Sequence, residues 1–336
     1  MRLFRDLVLG VAAVVLASCG GSAGSGGTPL PPAGAWAVFR HLPGVVDLAG
    51  PRGDGSLVVA AAGRLLIMGR GGGLSRFARG AGGYRTATGT EPYLVLASGY
   101  RGQGNHCSFG EDTIFALEPG TRPGVIMISP QGQARRFASL PAGGFVSGIA
   151  FDSTGRFGHR LLVTARTGGR LTVFGIGCDA AVSTIAAGAP VVEGGIVVAP
   201  ASFGRFGGDL IAADETSGRV YAVDPSGQVT LLAQPGLPAG GDIGVESAGF
   251  VPPGATAAYL ADRFSARNKH PGDNAILRLS AADLSRAGIR AGDLLVATEG
   301  GARTIDVRCA ATCTVRYVAA GPAIAHPEGH IVFASS

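Results

Sequence analysis

Residues 156–174 read RFGHRLLVTARTGGRLTVF, and residues 205–223 read RFGGDLIAADETSGRVYAV. The two stretches align without a gap at a constant offset of 49 residues. Arg156, Phe157, Gly158, Leu161, Thr167, Gly169 and Arg170 recur as Arg205, Phe206, Gly207, Leu210, Thr216, Gly218 and Arg219. Each copy sets short apolar runs on either side of a glycine-bearing turn. A period of about 50 residues built in this way is the signature of β-propeller blades.

The same pattern extends in both directions. A blade should carry four antiparallel strands, the first innermost at the central channel. Blade one begins at VVDLAG (45–50) and blade two at EPYLVLA (91–97). Blade three begins at VSGIAF (146–151) and blade four at GGIVVAP (194–200). Blade five is expected to open with SAGFVP (247–252) followed by AAYLADR (257–263). Residues 281–288 form a short helix-like patch, and the chain closes with EGHIVFA (328–334). The run AWAVFR (35–40) is placed to join the last blade and close the ring. The fold class is therefore all-β, a propeller of six four-stranded blades, with five blades as the alternative because residues 281–325 fit the pattern poorly.

Composition agrees with this reading. Apolar residues make up 46% of the chain and charged residues 15%, which is ample for a core. The 57 glycines and 20 prolines fall between apolar runs, where they mark turns. The net charge is +5, but the arginines are scattered with no basic run, so nucleic acid is not expected as a partner.

The first 18 residues, MRLFRDLVLGVAAVVLAS, have a positive start at Arg2 and Arg5 and an apolar stretch from Leu7 to Leu16. That stretch is too short to span a bilayer and is right for a signal peptide. The end, Leu16-Ala17-Ser18-Cys19, resembles the bacterial lipobox. The resemblance implies cleavage before Cys19, acylation of that residue, export and anchoring to a membrane of the cell envelope. Residues 19–34 then form a lipidated cysteine with a Gly/Ser tether ending in a stiffer Pro segment, and 35–336 form the propeller. The formal G-x-S-x-G at 20–24 lies in the tether, without the strand and helix that a nucleophile elbow needs.

Four further cysteines, Cys107, Cys178, Cys309 and Cys313, suggest disulfides in an exported chain. Cys309 and Cys313 flank three residues between two β-like runs, so a hairpin-closing bridge is the cheapest of the three pairings. Cys107 and Cys178 would then join neighbouring blades. A zinc site is the rival, but no paired C-x₂-C spacing is present.

The acidic residues fall in a pattern. Glu193 and Glu246 stand just before the inner strands of blades four and five, Ser147 holds the matching place in blade three, and Glu328 fits it near the end of the chain. Glu91 and Asp47 stand close to that position in blades two and one. Second strands end at Asp214-Glu215 and at Asp262, on the same face of the ring, next to the polar loop DRFSARNKHPGDN (262–274). These acids either pair with Arg166, Arg263 and Arg267, or form a ring of carboxylates whose repulsion a hard cation such as Ca²⁺ relieves. Glu193, Glu246, Asp214 and Asp262 are the candidate metal ligands.

The glutamate–glycine step before a GIAFD-like strand, seen in Glu193-Gly194-Gly195-Ile196 and in Ser147-Gly148-Ile149-Ala150-Phe151-Asp152, resembles the gluconolactonase, strictosidine-synthase-like and NHL propellers. The resemblance implies the propeller fold over residues 45–336. From the gluconolactonases it implies a divalent metal in the channel, held by Glu, Asn and Asp side chains, that activates water or a lactone carbonyl. Glu193 or Glu246 matches the glutamate, whereas the asparagines, at 105, 268 and 274, lie outside the predicted inner strands. NHL propellers instead serve as binding platforms. Two functions are thus expected from the sequence. One is an envelope lipoprotein binding a protein, glycan or small ligand at the channel mouth. The other is a metal-dependent lactone or ester hydrolase at the same place.

Overall fold

The structure, a computed structural model, describes residues 32–78, 91–97, 99, 107–141 and 145–335. Residues 32–336 belong to one compact unit. The expected leader, Cys19 and the tether up to residue 31 lie outside the described residues. Among the described residues no helix is long and apolar enough to cross a membrane.

Four blades are separate four-stranded antiparallel sheets, spanning Val45–Phe77, Leu94–Ser139, Phe145–Ala189 and Val197–Ala233. In each the strands pair in chain order, as hairpin-linked meanders must. The sequence repeat falls on blades three and four. Leu161–Thr167 with Arg170–Ile176, and Leu210–Asp214 with Arg219–Val223, are the paired second and third strands of their blades. The turns between them carry glycines at positive φ, Gly169 and Gly218, which explains why glycine recurs there.

The remaining strands form one nine-stranded sheet that resolves into two blades. Blade five orders Val245–Phe250, Leu294–Thr298, Thr304–Cys309 and Cys313–Ala320 from the channel outward. Blade six orders Pro327–Ser335, Ala255–Asp262, Ala275–Ser280 and Ala37–His41. The two are linked by a single parallel pairing, Ala248 with His330. The ring thus has six blades, and AWAVFR supplies the outer strand of the last one.

AAYLADR, expected as the second strand of blade five, belongs to blade six instead: Ala255–Asp262 pairs with the terminal strand Pro327–Ser335. The chain leaves blade five after one strand and builds the middle of blade six. It turns through a short helix, Ala281–Arg286, and only then returns to finish blade five. The helix is started by a capping box between Ser280 and Asp283. This crossover is why residues 281–325 fit a simple blade period poorly.

The N-terminal segment fastens the two interleaved blades. Gly34–Ala35 pairs in parallel with Ala319–Ala320 of blade five, and Ala37–His41 pairs with blade six. Trp36 between them is buried, its indole N–H donating to Thr304 Oγ1 at 2.8 Å. Two disulfides form as the spacing suggested: Cys309–Cys313 closes the outer hairpin of blade five, and Cys107–Cys178 joins blades two and three.

At the axis the inner strands approach closely. A Cβ on Gly195 would lie 2.3 Å from the Gly329 carbonyl oxygen, so only glycine fits where blades four and six meet. Below that point His330 fills the channel. Its Nδ1 faces the Asp47 carboxylate at 3.0 Å, and its Nε2 faces the carbonyl oxygens of Ile149 at 3.0 Å and Ile196 at 3.2 Å. Acceptors stand at both ring nitrogens, so the site favours the imidazolium, which carries a proton on each. Burial works against the charged ring, but Asp47 and the two carbonyls outweigh it and raise the pKa. Asp47 also accepts the backbone N–H groups of Leu48, Leu94 and His330.

Asp47→Ala strips these donors of their acceptor and leaves a buried cation unpaired. Urea unfolding should show a loss of about 3–5 kcal/mol; a loss under about 1 kcal/mol, no more than an exposed ion pair contributes, would remove this pair from the account of stability.

Candidate functional site

The mouth of the channel, on the side where inner strands start and second strands end, collects six glutamates. Glu91 comes from blade two, Glu193 precedes the inner strand of blade four, and Glu215 follows its second strand. In blade five Glu246 lies at the start of the inner strand, Val245–Phe250, and Glu299 follows the second strand, while Glu328 lies on the inner strand of blade six. The propeller repeats its geometry, so residues at equivalent blade positions arrive at one point. Glu246, Glu299 and Glu328 are buried, and Glu91, Glu193 and Glu215 are half-buried.

Tyr93, fully buried, ties the centre together. Its hydroxyl lies 2.8 Å from Glu246 Oε1, 2.9 Å from Glu328 Oε2 and 3.3 Å from Glu91 Oε2. One hydroxyl proton serves three carboxylates, so it satisfies one of them at a time. Burial, then the charges of Glu246 and Glu328, push its own pKa well above 10.0. Arg263 reaches in from the polar loop and pairs with Glu91 and, at 2.9 Å, with Glu328 Oε1. His326 Nε2 lies 3.3 Å from Glu299 and 3.5 Å from Glu328. Glu328 therefore stays ionised: burial opposes this, but His326 and Arg263 hold its pKa below the usual 4.5.

The other carboxyls are not so compensated. Burial and then the Glu328 charge push Glu299 up to about 12, with Glu215 adding to the effect through a shared hydrogen bond. Glu246 is raised well above 4.5 by burial and by Glu328 and Glu299. Burial and Glu91 raise Glu193 to about 7, while burial and Glu328 raise Glu91 to about 7 against the pull of Arg263. At this mouth the buried Glu299 Oε2 and His326 Nδ1 have no hydrogen-bond partner among the described residues.

Ligand atoms of Glu215, Glu246 and Glu299 all lie within 4.8 Å of one another, and so do those of Asp242, Glu299 and His326. Oxygens bound to one ion at about 2.4 Å can be at most about 4.8 Å apart, so either trio has the spread of a coordination shell. A divalent cation there would neutralise the mutual repulsion and give the orphaned Glu299 oxygen a partner. The residues present fit the group.

Of the four ligands expected from sequence, Glu246 lies in this cluster and Glu193 stands at its edge. Asp214 and Asp262 stand apart. Asp214 accepts from the backbone N–H groups of Thr216 and Ser217 and from the Ser217 hydroxyl, capping its hairpin turn. Asp262 accepts from His326 N at 2.8 Å and Asp273 N at 3.1 Å and fixes the polar loop. The residues next to them in sequence, Glu215 and Arg263, are the ones that reach the mouth. Glu299 is the counterpart of Glu215 in blade five. Spacing along the chain conceals this, because the crossover inserts two strands of blade six and the short helix between Val245–Phe250 and its neighbour Leu294–Thr298. Only the pairing of those two strands reveals where Glu299 sits.

No protein-family model matches the chain, and no curated protein matches it. Solved structures do. A chain of a nidogen/laminin complex is 12% identical, over 86% of this chain and 84% of that one, with a TM-score of 0.49. Virginiamycin B lyase from Staphylococcus aureus, in complex with quinupristin, is 14% identical over 89% and 94%, with a TM-score of 0.47. A gluconolactonase from Xanthomonas campestris is 17% identical over 67% and 68%, with a TM-score of 0.41. The likeness is one of fold. The chain is a β-propeller resembling those of gluconolactonase and virginiamycin B lyase.

The raised carboxyls make stability depend on pH. The folded state holds the Glu193 and Glu91 protons more tightly than the unfolded chain does, so stability is lost as pH rises from 4.5 to about 7. In chelator, the thermal midpoint should fall across that window, and Glu193→Gln should flatten part of the slope. A midpoint that rises with pH there would contradict the assignment.

Proposed function

We propose that this chain is a cation-dependent binding propeller of the bacterial cell envelope. Its channel mouth takes a divalent cation of the Ca²⁺ class on Glu215, Glu246 and Glu299. The ion, with Arg263 and the half-buried carboxylates around it, then receives an oxygen-bearing group of a protein, glycan or small ligand. The observation that carries the reading is the convergence of three buried or half-buried carboxylates within 4.8 Å, with an unpartnered oxygen on Glu299. Export and anchoring rest on the leader and on Cys19, and the two disulfides fit an oxidising compartment.

A second reading, a lactone or ester hydrolase, is favoured by the position of Glu193. Its carboxyl lies in the field of Glu91, Glu215 and Glu246, at the edge of the cluster and short of full burial. When bound, the cation would polarise the substrate carbonyl. Glu193 would accept the proton of an attacking water at its carboxylate, and Arg263 would orient an anionic or carbonyl oxygen.

The test is the metal content of protein purified without chelator, together with its thermal midpoint with and without EDTA. The expected result is a stoichiometric ion and a midpoint that drops in EDTA, since at about 100 times Kd a bound ion adds about 2.7 kcal/mol. Glu246→Gln and Glu299→Gln should each abolish both. Absence of an ion and of any shift on adding Ca²⁺ would sink the cation reading. A lactone panel then separates the two functions: turnover lost in EDTA, restored by Ca²⁺ and lost in Glu193→Gln indicates the hydrolase, and no turnover in the ion-loaded protein indicates the binding module.

A further inference from the structure

On the face opposite the mouth, where blades one and six close the ring, there is a 210 Å³ cavity. Its lining includes Arg70, Arg278, Tyr259, Leu57, Met68 and Thr256, with no acidic residue. From these residues we propose that the cavity is a binding site for the oxyanion head of a small organic acid, carboxylate or phosphate, gripped by Arg70 and Arg278.

Three observations support this. First, the two guanidinium groups are positioned from opposite walls. Arg278 is on the third strand of blade six, directly across from Tyr259, and its guanidinium lies over the Phe39 ring at 5.5 Å from the centroid. Arg70 follows the third strand of blade one and packs on the backbone of Gly55, where a Cβ would come within 2.3 Å of Arg70 Nε. Second, no acid among the described residues offsets their charges. Among the described residues neither arginine has an acidic partner, and the buried Arg278 Nε has no hydrogen-bond partner. A buried guanidinium N–H without an acceptor costs about as much as a lost charged hydrogen bond, which an incoming oxyanion would recover. Third, size and lining select the ligand. The volume is below the roughly 300 Å³ at which drug-sized pockets begin, so a small acid fits and a large one does not. Leu57, Met68 and Tyr259 offer apolar surface to its non-ionic part, while a planar guanidinium fork suits carboxylate and phosphate alike.

The site spans the ring closure. Arg40, on the N-terminal strand of blade six, donates to the Gly72 carbonyl of blade one at 2.7 Å, so the same seam holds both the strand and the cavity. An anion bound there bridges the two blades and should raise the thermal midpoint of the whole protein.

Titration calorimetry of the full chain with sodium lactate and, separately, with inorganic phosphate tests the proposal. Wild type should bind at least one of them with a Kd of about 1 mM or tighter, and Arg70→Met and Arg278→Met should each weaken it by about tenfold or more. Arg278→Lys should recover part of the loss. Whichever probe binds more tightly identifies the headgroup. Arg70 is exposed, so Arg70→Met keeps the test valid if Arg278→Met fails to fold. No heat from either probe at about 10 mM, or binding that the Arg70→Met variant leaves unchanged, overturns the proposal.

Discussion

A buried ion pair at the axis, His330 with Asp47, is the constraint on which the ring depends. The imidazolium of blade six donates to a carboxylate of blade one and to carbonyls of blades three and four. The same carboxylate accepts the Leu94 N–H of blade two. Five blades are thus tied through two side chains. Such a pair need not make the fold more stable than an apolar plug of similar volume would. What it supplies is direction. Each donor and acceptor is satisfied only when the blades sit in one register, which a layer of leucines would not enforce.

That plug also shapes the mouth above it. With the axis filled, the side chains that precede the inner strands and follow the second strands have nowhere to go but the funnel between blades. Glutamates at those positions converge, and the cost of burying them is only partly offset by Arg263, His326 and Tyr93. The result is a set of raised carboxyls and an oxygen without a partner, an arrangement that costs stability unless something binds. On the opposite face two arginines line a small cavity whose described lining holds no acid.

Much of the fold was legible in the residues. The gapless repeat fell on equivalent strands of blades three and four, AWAVFR closed the last blade, and the four cysteines paired within a hairpin and between neighbouring blades. The interleaving of blades five and six was not legible. Ala255–Asp262 is a buried apolar run like the other second strands, and local pattern says nothing of which inner strand it will lie beside. That one crossover hid Glu299, since its place in the ring follows from its strand pairing and not from its distance along the chain.

The periodic part of the molecule is written in the residues themselves: short strands, glycine turns, blade spacing and the glutamate that precedes several inner strands. Local backbone preference and the alternation of apolar residues set these features, and both act within one blade. Which acids meet is settled later, when the blades come together. Asp214 and Asp262 end their strands with the same carboxylate chemistry as the mouth glutamates, yet their oxygens are taken by N–H groups of their own turns and of a neighbouring loop. Glu215 and Glu299, one from each of two blades, bring carboxylate oxygens within 4.8 Å of each other across the funnel. A contact between blades depends on how the ring closes, and closure is a property of all six blades together.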